Sequence, residues 1–209
     1  MKKYEFTGET KQVGFFGNIT LKRIRATMEF GIVKIGDLGG WIEKEENLSH
    51  EGDAWVYGDA KVYGDAKVYG NAKVYGDAKV YGDAWVYGDA KVYGNAKVYG
   101  NAKVYGDAKV YGDAWVYGDA WVYGDAWVFS ISHVLVIGPI GSRNDFTTFF
   151  RDKDSEITVK CGCFLGKIDK FLEKVCETHG DSKYAIVYRT AVEIAKQQID
   201  LSEEKNNEN

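Results

Sequence analysis

Thirteen consecutive six-residue repeats run without interruption from Gly52 to Phe129. Each has the form Gly-Asp/Asn-Ala-Lys/Trp-Val-Tyr, and Phe129 replaces the tyrosine of the last one. A six-residue period is typical of a parallel β-solenoid, in which a single coil cannot bury its apolar side and must stack on its neighbours. The repeat therefore predicts a mainly β fold built around such a solenoid.

The repeat also predicts which side chains lie inside. Side chains alternate between the two sides of a strand, so Ala60 and Val62 should point inward while Lys61 and Tyr63 point outward. Glycine at each corner tolerates backbone angles that other residues avoid, and Asp or Asn favours turns. We therefore expect an interior of Ala and Val beneath a surface of Lys, Trp and Tyr.

An aliphatic residue is followed four positions later by a small one, from Val62 and Ala66 through Val122 and Ala126. This pattern resembles the hexapeptide repeat of left-handed parallel β-helices, in which three hexads form one triangular coil. The resemblance implies coils of 18 residues. Tyrosine stands where that family usually has a small residue, so the surface of this solenoid is unusual.

Stacking of such coils predicts columns of like residues. The tyrosines should form three outward ladders, and each column of corner acids should contain one Asn, namely Asn71, Asn95 or Asn101. Three tryptophans fall in consecutive repeats, so each face of the last coil should carry one. These three, predicted to contact the C-terminal segment or another subunit, are Trp115, Trp121 and Trp127.

Imperfect repeats extend the pattern at both ends. Leu48 lies six residues before Ala54, so 46–51 is interpreted as a hexad with Leu48 in the alanine position and His50 inward. Ser132 lies six residues after Ala126, so 130–135 is interpreted as another, with His133 outward.

The segment from Arg23 to Ala60 includes Gly-Asp-Leu-Gly-Gly-Trp-Ile-Glu at 36–43 and the first repeats. It resembles the opening of hexapeptide-repeat proteins of phages, prophages and gut bacteria, many of which carry an acetyltransferase label. The resemblance covers about two thirds of the chain. It implies a left-handed β-helix and a mobile-element setting, and it transfers no proven activity.

The chain divides into four predicted parts: an N-terminal β cap at 1–37, the β-helix at 38–133, an α+β domain at 134–200 and a disordered tail at 201–209. Short strands are predicted at 3–7 and 19–30. The C-terminal domain should contain a strand at 134–137, a hairpin of 146–150 with 156–161, a helix ending at Gly180, and a second helix with apolar residues from Tyr184 to Ala195.

Composition and charge limit the partners and the location that can be expected for this protein. The net charge of -4 gives no basic surface for nucleic acid. Three cysteines do not predict a disulfide framework. The N-terminus does not resemble a signal sequence, and no apolar run approaches the roughly 18 residues of a membrane span. The sequence therefore predicts a cytoplasmic protein, in the host cell if phage-encoded, without a membrane or nucleic-acid partner.

Acyl transfer is the first activity to test, because proteins with this kind of repeat are often acyltransferases that use a histidine base. The thirteen repeats contain no histidine and no inserted loop. Histidine occurs only at His50, His133 and His179. The positions of the first two favour a role in capping or packing, although either could act as a base near pH 7.

The loop after the strand at 134–137 is rich in polar side chains and glycine. Backbone N–H groups together with such side chains can hold a phosphate or a carboxylate. The residues predicted to bind an anion are Ser142, Arg143, Asn144, Thr147, Thr148 and Arg151. The alternative is an exit turn in which polar side chains satisfy local backbone groups.

Cys161, Cys163, Cys176 and His179 form a second candidate group, because thiolates and imidazole are ligands of zinc. Cys176 lies on the apolar side of its helix, and free cysteines are often simply buried. The favoured interpretation includes no metal, no cofactor and no catalytic residue.

The leading hypothesis is a non-enzymatic scaffold or binding protein, assembled through the solenoid as a homotrimer. Its C-terminal domain would bind a host protein or a small anionic, nucleotide-like ligand, to sequester a host defence molecule. Two alternatives are an acyltransferase-like enzyme and a carbohydrate-binding module that uses exposed Trp and Tyr.

Overall fold

The thirteen repeats form a parallel β-solenoid, which confirms the predicted fold. The structure is a computed structural model and describes residues 2–202, so most of the tail predicted at 201–209 lies outside the described residues. Each repeat contributes one two-residue strand. These strands are β4 (Trp55–Val56), β5 (Lys61–Val62), β6 (Lys67–Val68), β7 (Lys73–Val74), β8 (Lys79–Val80), β9 (Trp85–Val86), β10 (Lys91–Val92), β11 (Lys97–Val98), β12 (Lys103–Val104), β13 (Lys109–Val110), β14 (Trp115–Val116), β15 (Trp121–Val122) and β16 (Trp127–Val128).

The strands line three faces. The first face carries β5, β8, β11 and β14, the second carries β4, β7, β10, β13 and β16, and the third carries β6, β9, β12 and β15. Val62 pairs with Val80, eighteen residues on, so three repeats make one coil as expected. The tryptophans of the last coil therefore lie on three different faces.

The interior consists of the repeat alanines and valines, all of which are buried. Glycine is required at the corners for two reasons. Gly82 has a φ of +71°, and a Cβ there would lie 3.0 Å from the backbone nitrogen of Gly100 in the next coil. A side chain at such a corner would meet both backbone strain and a steric clash.

The outer columns match the predicted ladders. The rings of Tyr75 and Tyr93 lie 4.7 Å apart and nearly parallel, and similar pairs continue along all three edges. Asn101 Nδ2 donates a hydrogen bond to Asp119 Oδ1 of the next coil at 3.0 Å. Asn71 and Asn95 make the same bond, so each asparagine replaces a repulsive contact between carboxylates with an attractive one.

An antiparallel hairpin precedes the solenoid and extends its first face. It consists of β1 (Tyr4–Val13) and β2 (Ile19–Ala26), and β3 (Leu38–Ile42) joins β2 to β5. The first strand is longer than predicted and contains a bulge, and the second ends earlier. The hairpin therefore adds an antiparallel edge to a parallel face.

The backbone hydrogen bonds between coils all run in one direction, and this direction decides how the first coil is capped. The N–H groups of the Lys/Trp and Asp/Asn positions donate to carbonyls of the following coil, as in Asn71 to Gly88. Carbonyls of the first coil therefore have no preceding repeat, and those that the backbone N–H groups of residues 41–49 do not reach need side-chain donors. Lys3 Nζ donates to the carbonyls of Gly52 and Ala54, at 3.2 and 2.7 Å.

Asn47 caps a second corner of the first coil in the same way. Its Nδ2 donates to the carbonyls of Gly64 and Ala66, at 3.0 and 2.8 Å, while its Oδ1 accepts from the backbone N–H of Lys44 at 2.9 Å. One buried side chain thus replaces two backbone donors of a missing coil.

The predicted register at this end is wrong. Leu48 bridges to Val68, twenty residues on, so it occupies the valine position and not the alanine position of its hexad. A 3₁₀ turn at Glu45–Asn47 and two extra residues before Val56 shift the register. Trp55 points outward but is fully buried, because Tyr4 and Phe30 of the cap cover it.

The C-terminal domain is a four-stranded antiparallel meander with two helices. Its elements are β17 (Val134–Ile140), β18 (Asp145–Arg151), β19 (Ile157–Cys161), β20 (Phe164–Lys167), α1 (Ile168–His179) and α2 (Lys183–Gln198). The predicted hairpin and both helices are confirmed, and β20 is additional. Phe149 packs against the helices, whereas Phe150 joins the core of the solenoid. The sheet therefore lies between the helices and the last coil.

The last coil is capped with acceptors. The backbone N–H of Trp121 donates to Thr148 Oγ1 at 3.0 Å, and that of Phe129 donates to His133 Nδ1 at 3.3 Å. Burial, with Arg151 nearby, lowers the pKa of His133 to about 4, against a smaller opposing effect of Asp200. His133 is therefore neutral at pH 7, as an acceptor must be.

The hexad predicted at 130–135 is wrong. Ser130 caps a 3₁₀ turn at Ile131–His133, and Val134 begins an antiparallel strand. His133, predicted outward, is buried against the ring of Phe129. Its side chain caps the ladder because the chain leaves the coil at this point.

Candidate functional site

The sheet of the C-terminal domain has a cleft on each side. Alternation along β18 and β19 sends Thr147 and Cys161 toward the helices, and Thr148 and Lys160 toward the solenoid. We call the two spaces the helix-side cleft and the solenoid-side cleft. Both are candidate binding sites, and their linings differ in charge.

The helix-side cleft has a volume of about 510 Å³. Its polar lining comes from the turn after β17 and from α1, and its apolar floor comes from the aromatic residues of the domain core. The lining includes Ser142, Arg143, Lys174, Thr178, His179, Phe171 and Tyr188. No carboxylate belongs to this lining among the described residues, so the cleft favours a negatively charged ligand.

Contacts between the turn and the helices hold the cleft in shape. Ser142 Oγ lies 3.4 Å from His179 Nε2, and the ring of His179 stacks on Tyr188 at 5.7 Å. A Cβ on Gly141 would collide with the hydroxyl of Tyr188. Burial and the neighbouring Cys161 raise the pKa of Tyr188, so its hydroxyl is protonated at pH 7.

Two of the six residues predicted to bind an anion line this cleft. Ser142 and Arg143 are exposed at its rim, and Arg143 packs over Gly162. Asn144 adopts a φ of +50° within the turn, a conformation that asparagine tolerates.

The other three predicted residues lie elsewhere. Thr147 is buried and donates to Cys161 Sγ at 3.3 Å, and Thr148 lines the solenoid-side cleft. Arg151 is buried beside the ring of Phe129 and donates to Ser155 Oγ at 2.6 Å. The six residues therefore do not converge on one point.

The solenoid-side cleft is smaller, at about 260 Å³, and lies where the third face meets the sheet. Lys103 Nζ lies 4.4 Å and Lys160 Nζ 4.9 Å from the centroid of the Trp121 ring. Asp119 and Asp145 also line it, so its charges balance. Lys160 is only 9% exposed, and its Nζ donates to the carbonyl of Gly162.

The remaining tryptophans of the last coil have simpler surroundings. Trp115 lies under Lys97 at 4.1 Å, and Trp127 lies under Lys109 at 4.4 Å. Each pair is a cation–π contact between consecutive coils. The interface predicted for Trp115, Trp121 and Trp127 stays a prediction.

The cysteines divide between two places. Cys161 and Cys163 line the helix-side cleft with His179, whereas Cys176 does not line it. Cys176 is exposed on α1, so the prediction that it lies on the apolar side of the helix is wrong. Within residues 2–202, no three His, Cys, Asp or Glu side chains come together as ligands of a metal ion.

His50 belongs to the N-terminal cap. Its ring stacks on Tyr4 at 4.3 Å, and its Nδ1 accepts from the backbone N–H of Lys3 at 3.3 Å. Burial lowers the pKa of His50. His50 and His133 are both capping residues, which leaves His179 as the histidine that faces a cleft.

Sequence reasoning missed Lys160, Lys174 and Tyr188. Strand alternation at Ile157–Cys161 would have separated Lys160 from Cys161 and assigned them to opposite sides of the sheet. Tyr188 follows the helical spacing of core residues, and nothing in that pattern indicates that its hydroxyl reaches the turn at Gly141.

Comparison with known proteins finds similarity to a solenoid repeat. The YdcK beta solenoid repeat family matches residues 108–124. A protein of Escherichia coli (strain K12) named "Uncharacterized acetyltransferase YdcK" is 36% identical over 62 residues, which is 27% of this chain. This chain covers 19% of that relative's length.

No helix within residues 2–202 is long and apolar enough to cross a bilayer.

The family match at 108–124 lies within the solenoid, outside the C-terminal sheet and helices. In its repeats, therefore, the chain is similar to the YdcK beta solenoid proteins.

Proposed function

We propose that this protein is a non-catalytic binding module that holds a small anionic ligand in the helix-side cleft. The solenoid serves as a rigid stem. The observation that carries the proposal is the lining of the cleft, where Arg143 and Lys174 face an apolar floor without a carboxylate among the lining residues that the structure describes. A buried apolar floor with a few polar groups is the usual construction of a small-molecule site.

The rim suits a phosphate or carboxylate. Arg143 can offer paired N–H donors to an anion, and Ser142 and Thr178 can add hydroxyl donors. The ring of Tyr188, with Phe171 beside it at 5.6 Å, offers an apolar surface for the rest of the ligand. A nucleotide-like molecule has both parts.

We further propose that the protein retains this ligand and does not convert it. Sequestration of a host defence molecule is the version that the resemblance to phage proteins favours. Assembly as a homotrimer is part of the same proposal, supported by the tyrosine ladders on the outside of the solenoid, where Tyr117 is 49% exposed. Light scattering should give the mass of three chains, and the mass of one chain would contradict the trimer.

The experiment is titration of the full chain with AMP and with inorganic phosphate, followed by calorimetry. Arg143→Ala should weaken AMP binding at least about tenfold, the size of a charge-assisted hydrogen bond. Arg189→Ala is the matched control, because Arg189 lies on α2 and bonds the carbonyl of Gly180 outside the cleft. Equal AMP affinity in the two variants would contradict the proposal. It would also be contradicted if the wild-type chain bound neither AMP nor phosphate.

Acyl transfer is a second candidate, favoured by the relative's printed name and by the contact of Ser142 with His179. It predicts that the wild-type chain transfers the acetyl group of acetyl-CoA to a hydroxyl or amine acceptor, or to water, with release of CoA as the free thiol, and that His179→Gln loses this release. If no thiol is released and AMP is recovered intact after the protein is denatured, the results support a protein that retains its ligand and does not convert it.

A further inference from the structure

The solenoid-side cleft differs in kind from the helix-side cleft. The side chains around it comprise two ammonium groups, from Lys103 and Lys160, and two carboxylates, from Asp119 and Asp145. Balanced charges do not favour an ion of either sign. They do offer donors and acceptors at close spacing, which suits a ligand with many hydroxyl groups.

Aromatic surface in the cleft comes from two elements. Trp121 belongs to β15 of the last coil, and Phe146 belongs to β18 of the C-terminal sheet; each is 36% exposed. An indole ring presents a large, rigid apolar surface at low cost in conformational entropy. A sugar ring has apolar C–H surface and a rim of hydroxyls, and so matches both parts of the lining.

The polar groups of the cleft are held in place by the protein. Asp119 Oδ1 accepts from Asn101 Nδ2 at 3.0 Å, and Asp145 Oδ1 accepts from the backbone N–H of Phe146 at 2.8 Å. Each carboxylate retains its second oxygen for a ligand. The backbone contact between Trp121 and Thr148 fixes the two walls relative to each other.

Lys160 is the least expected group in this cleft. Burial lowers its pKa, and within the described residues its Nζ has no carboxylate partner. A buried ammonium costs free energy unless it is hydrogen-bonded. The Trp121 ring and the Gly162 carbonyl satisfy it in part, and hydroxyl oxygens of a ligand would complete its hydrogen bonds.

We propose that the junction of the last coil and the C-terminal sheet binds a neutral saccharide, with Trp121 as the stacking surface. The site is composite, since the solenoid supplies Trp121 and Lys103 while the domain supplies Lys160 and Asp145. It is independent of the anion site, which lies on the other side of the sheet.

The repeat supplies variants that preserve the fold. Lysine occupies the position of Trp121 in eight of the thirteen repeats, so Trp121→Lys restores the commonest residue. Trp85→Lys is the matched control, because Trp85 lies on the same face and is equally exposed but does not line the cleft; the centroid of its ring lies 5.2 Å from Lys103 Nζ, on the side away from the cleft. Asp145→Asn tests the domain side of the site without changing the solenoid.

The experiment is a two-dimensional NMR titration of the full chain, observing tryptophan indole N–H signals. The probes are neutral glucose, galactose, N-acetylglucosamine and maltose, with glucuronate and AMP as anionic probes. We expect a neutral saccharide to shift the signal that Trp121→Lys removes. Binding should weaken at least about tenfold in Trp121→Lys, weaken in Asp145→Asn, and be unchanged in Trp85→Lys.

Three results would overturn the proposal. They are no shift with any neutral saccharide, equal weakening in Trp85→Lys and Trp121→Lys, or a shift of the Trp121 signal by AMP or glucuronate alone. Thermal unfolding of each variant beside the wild type separates loss of binding from loss of fold. If Trp121→Lys does not fold, Asp145→Asn against Trp85→Lys decides the question.

Discussion

The two ends of the solenoid need opposite chemistry. At the first coil, the carbonyls of four corner residues have no preceding repeat to donate to them, and the side chains of Lys3 and Asn47 supply N–H groups. At the last coil, N–H groups lack acceptors, and Thr148 supplies a hydroxyl oxygen and His133 a ring nitrogen. The difference follows from the direction of the ladder, because these N–H groups point toward the following coil.

The comparison teaches that a cap on a parallel solenoid is specific to its end. An acceptor such as a carboxylate could not replace Asn47, and an ammonium group could not replace His133. Each cap therefore combines an apolar cover with a side chain whose hydrogen-bonding role is fixed by the polarity of the coil it meets.

The largest effect is expected at the N-terminal end. Asn47→Leu leaves the carbonyls of Gly64 and Ala66 buried without their donor, and should lower the free energy of unfolding by about 3 to 5 kcal/mol. The control Asn101→Leu, at an exposed position inside the ladder, should cost less than about 1 kcal/mol. Urea unfolding measures both. If the free energy of unfolding fell by similar amounts in the two variants, Asn47 would not act as a cap of the first coil.

An intermediate effect is expected from pH at the C-terminal end. The pKa of His133 is about 4 in the folded chain, against 6.5 for an unperturbed histidine, so between these values the unfolded chain binds a proton that the folded chain does not. The contribution of neutral His133 to the free energy of unfolding is therefore fully present above pH 6.5. It is lost as the pH falls toward 4, which lowers the free energy of unfolding by on the order of 2 to 3 kcal/mol.

His133→Gln isolates this contribution, since glutamine does not titrate. The free energy of unfolding of the wild type minus that of the variant, measured by urea unfolding across the same pH range, should decrease on acidification. A constant difference would mean that His133 does not act as a neutral acceptor.

The smallest effect is expected for Thr148→Val. Valine keeps the shape of threonine but leaves the backbone N–H of Trp121 without its acceptor, at a cost of about 1 to 2 kcal/mol. Thr147→Val, one residue away on the other side of the sheet, removes only a bond to a thiol and should cost less. Thermal unfolding compares the two, and the reverse order would contradict the assignment of Thr148 as a cap.

The sequence was a sufficient guide to the middle of the solenoid. Each repeat contacts copies of itself, so the environment of Val62 or Tyr75 can be inferred from the period alone. The ladders, the buried alanines and the bonds from Asn95 and Asn101 to the next coil all follow from that period.

The ends could not be derived in this way, because each is built once and from residues far apart in the chain. The register of Leu48 depends on two extra residues and a 3₁₀ turn, and the burial of Trp55 depends on Tyr4, some fifty residues away. The prediction for His133 is wrong because the hexad pattern does not continue past the point where the chain leaves the coil.

The candidate sites could be predicted only in part. The turn containing Ser142 and Arg143 stands out in the sequence, and the structure gives it a cationic cleft. Lys174 and Lys160 were missed because α1 and β19 reach the clefts through the packing of the domain, which has no repeat from which to infer it. The interface predicted for the Trp121 side chain stays a prediction, and the hydrogen bond from its backbone N–H to Thr148 does not follow from the repeat.

The three-faced register makes the length of this stem change in discrete steps. Deleting or adding three repeats would shorten or lengthen it by one coil, about 4.8 Å, and leave the C-terminal domain on the same face. Deleting one or two repeats would keep the same kinds of stacking contact in the interior, because every repeat supplies Ala and Val. It would move the C-terminal domain by one or two faces around the solenoid relative to the N-terminal hairpin. A change in the number of repeats would therefore set both the reach of the stem and the direction in which the C-terminal domain faces.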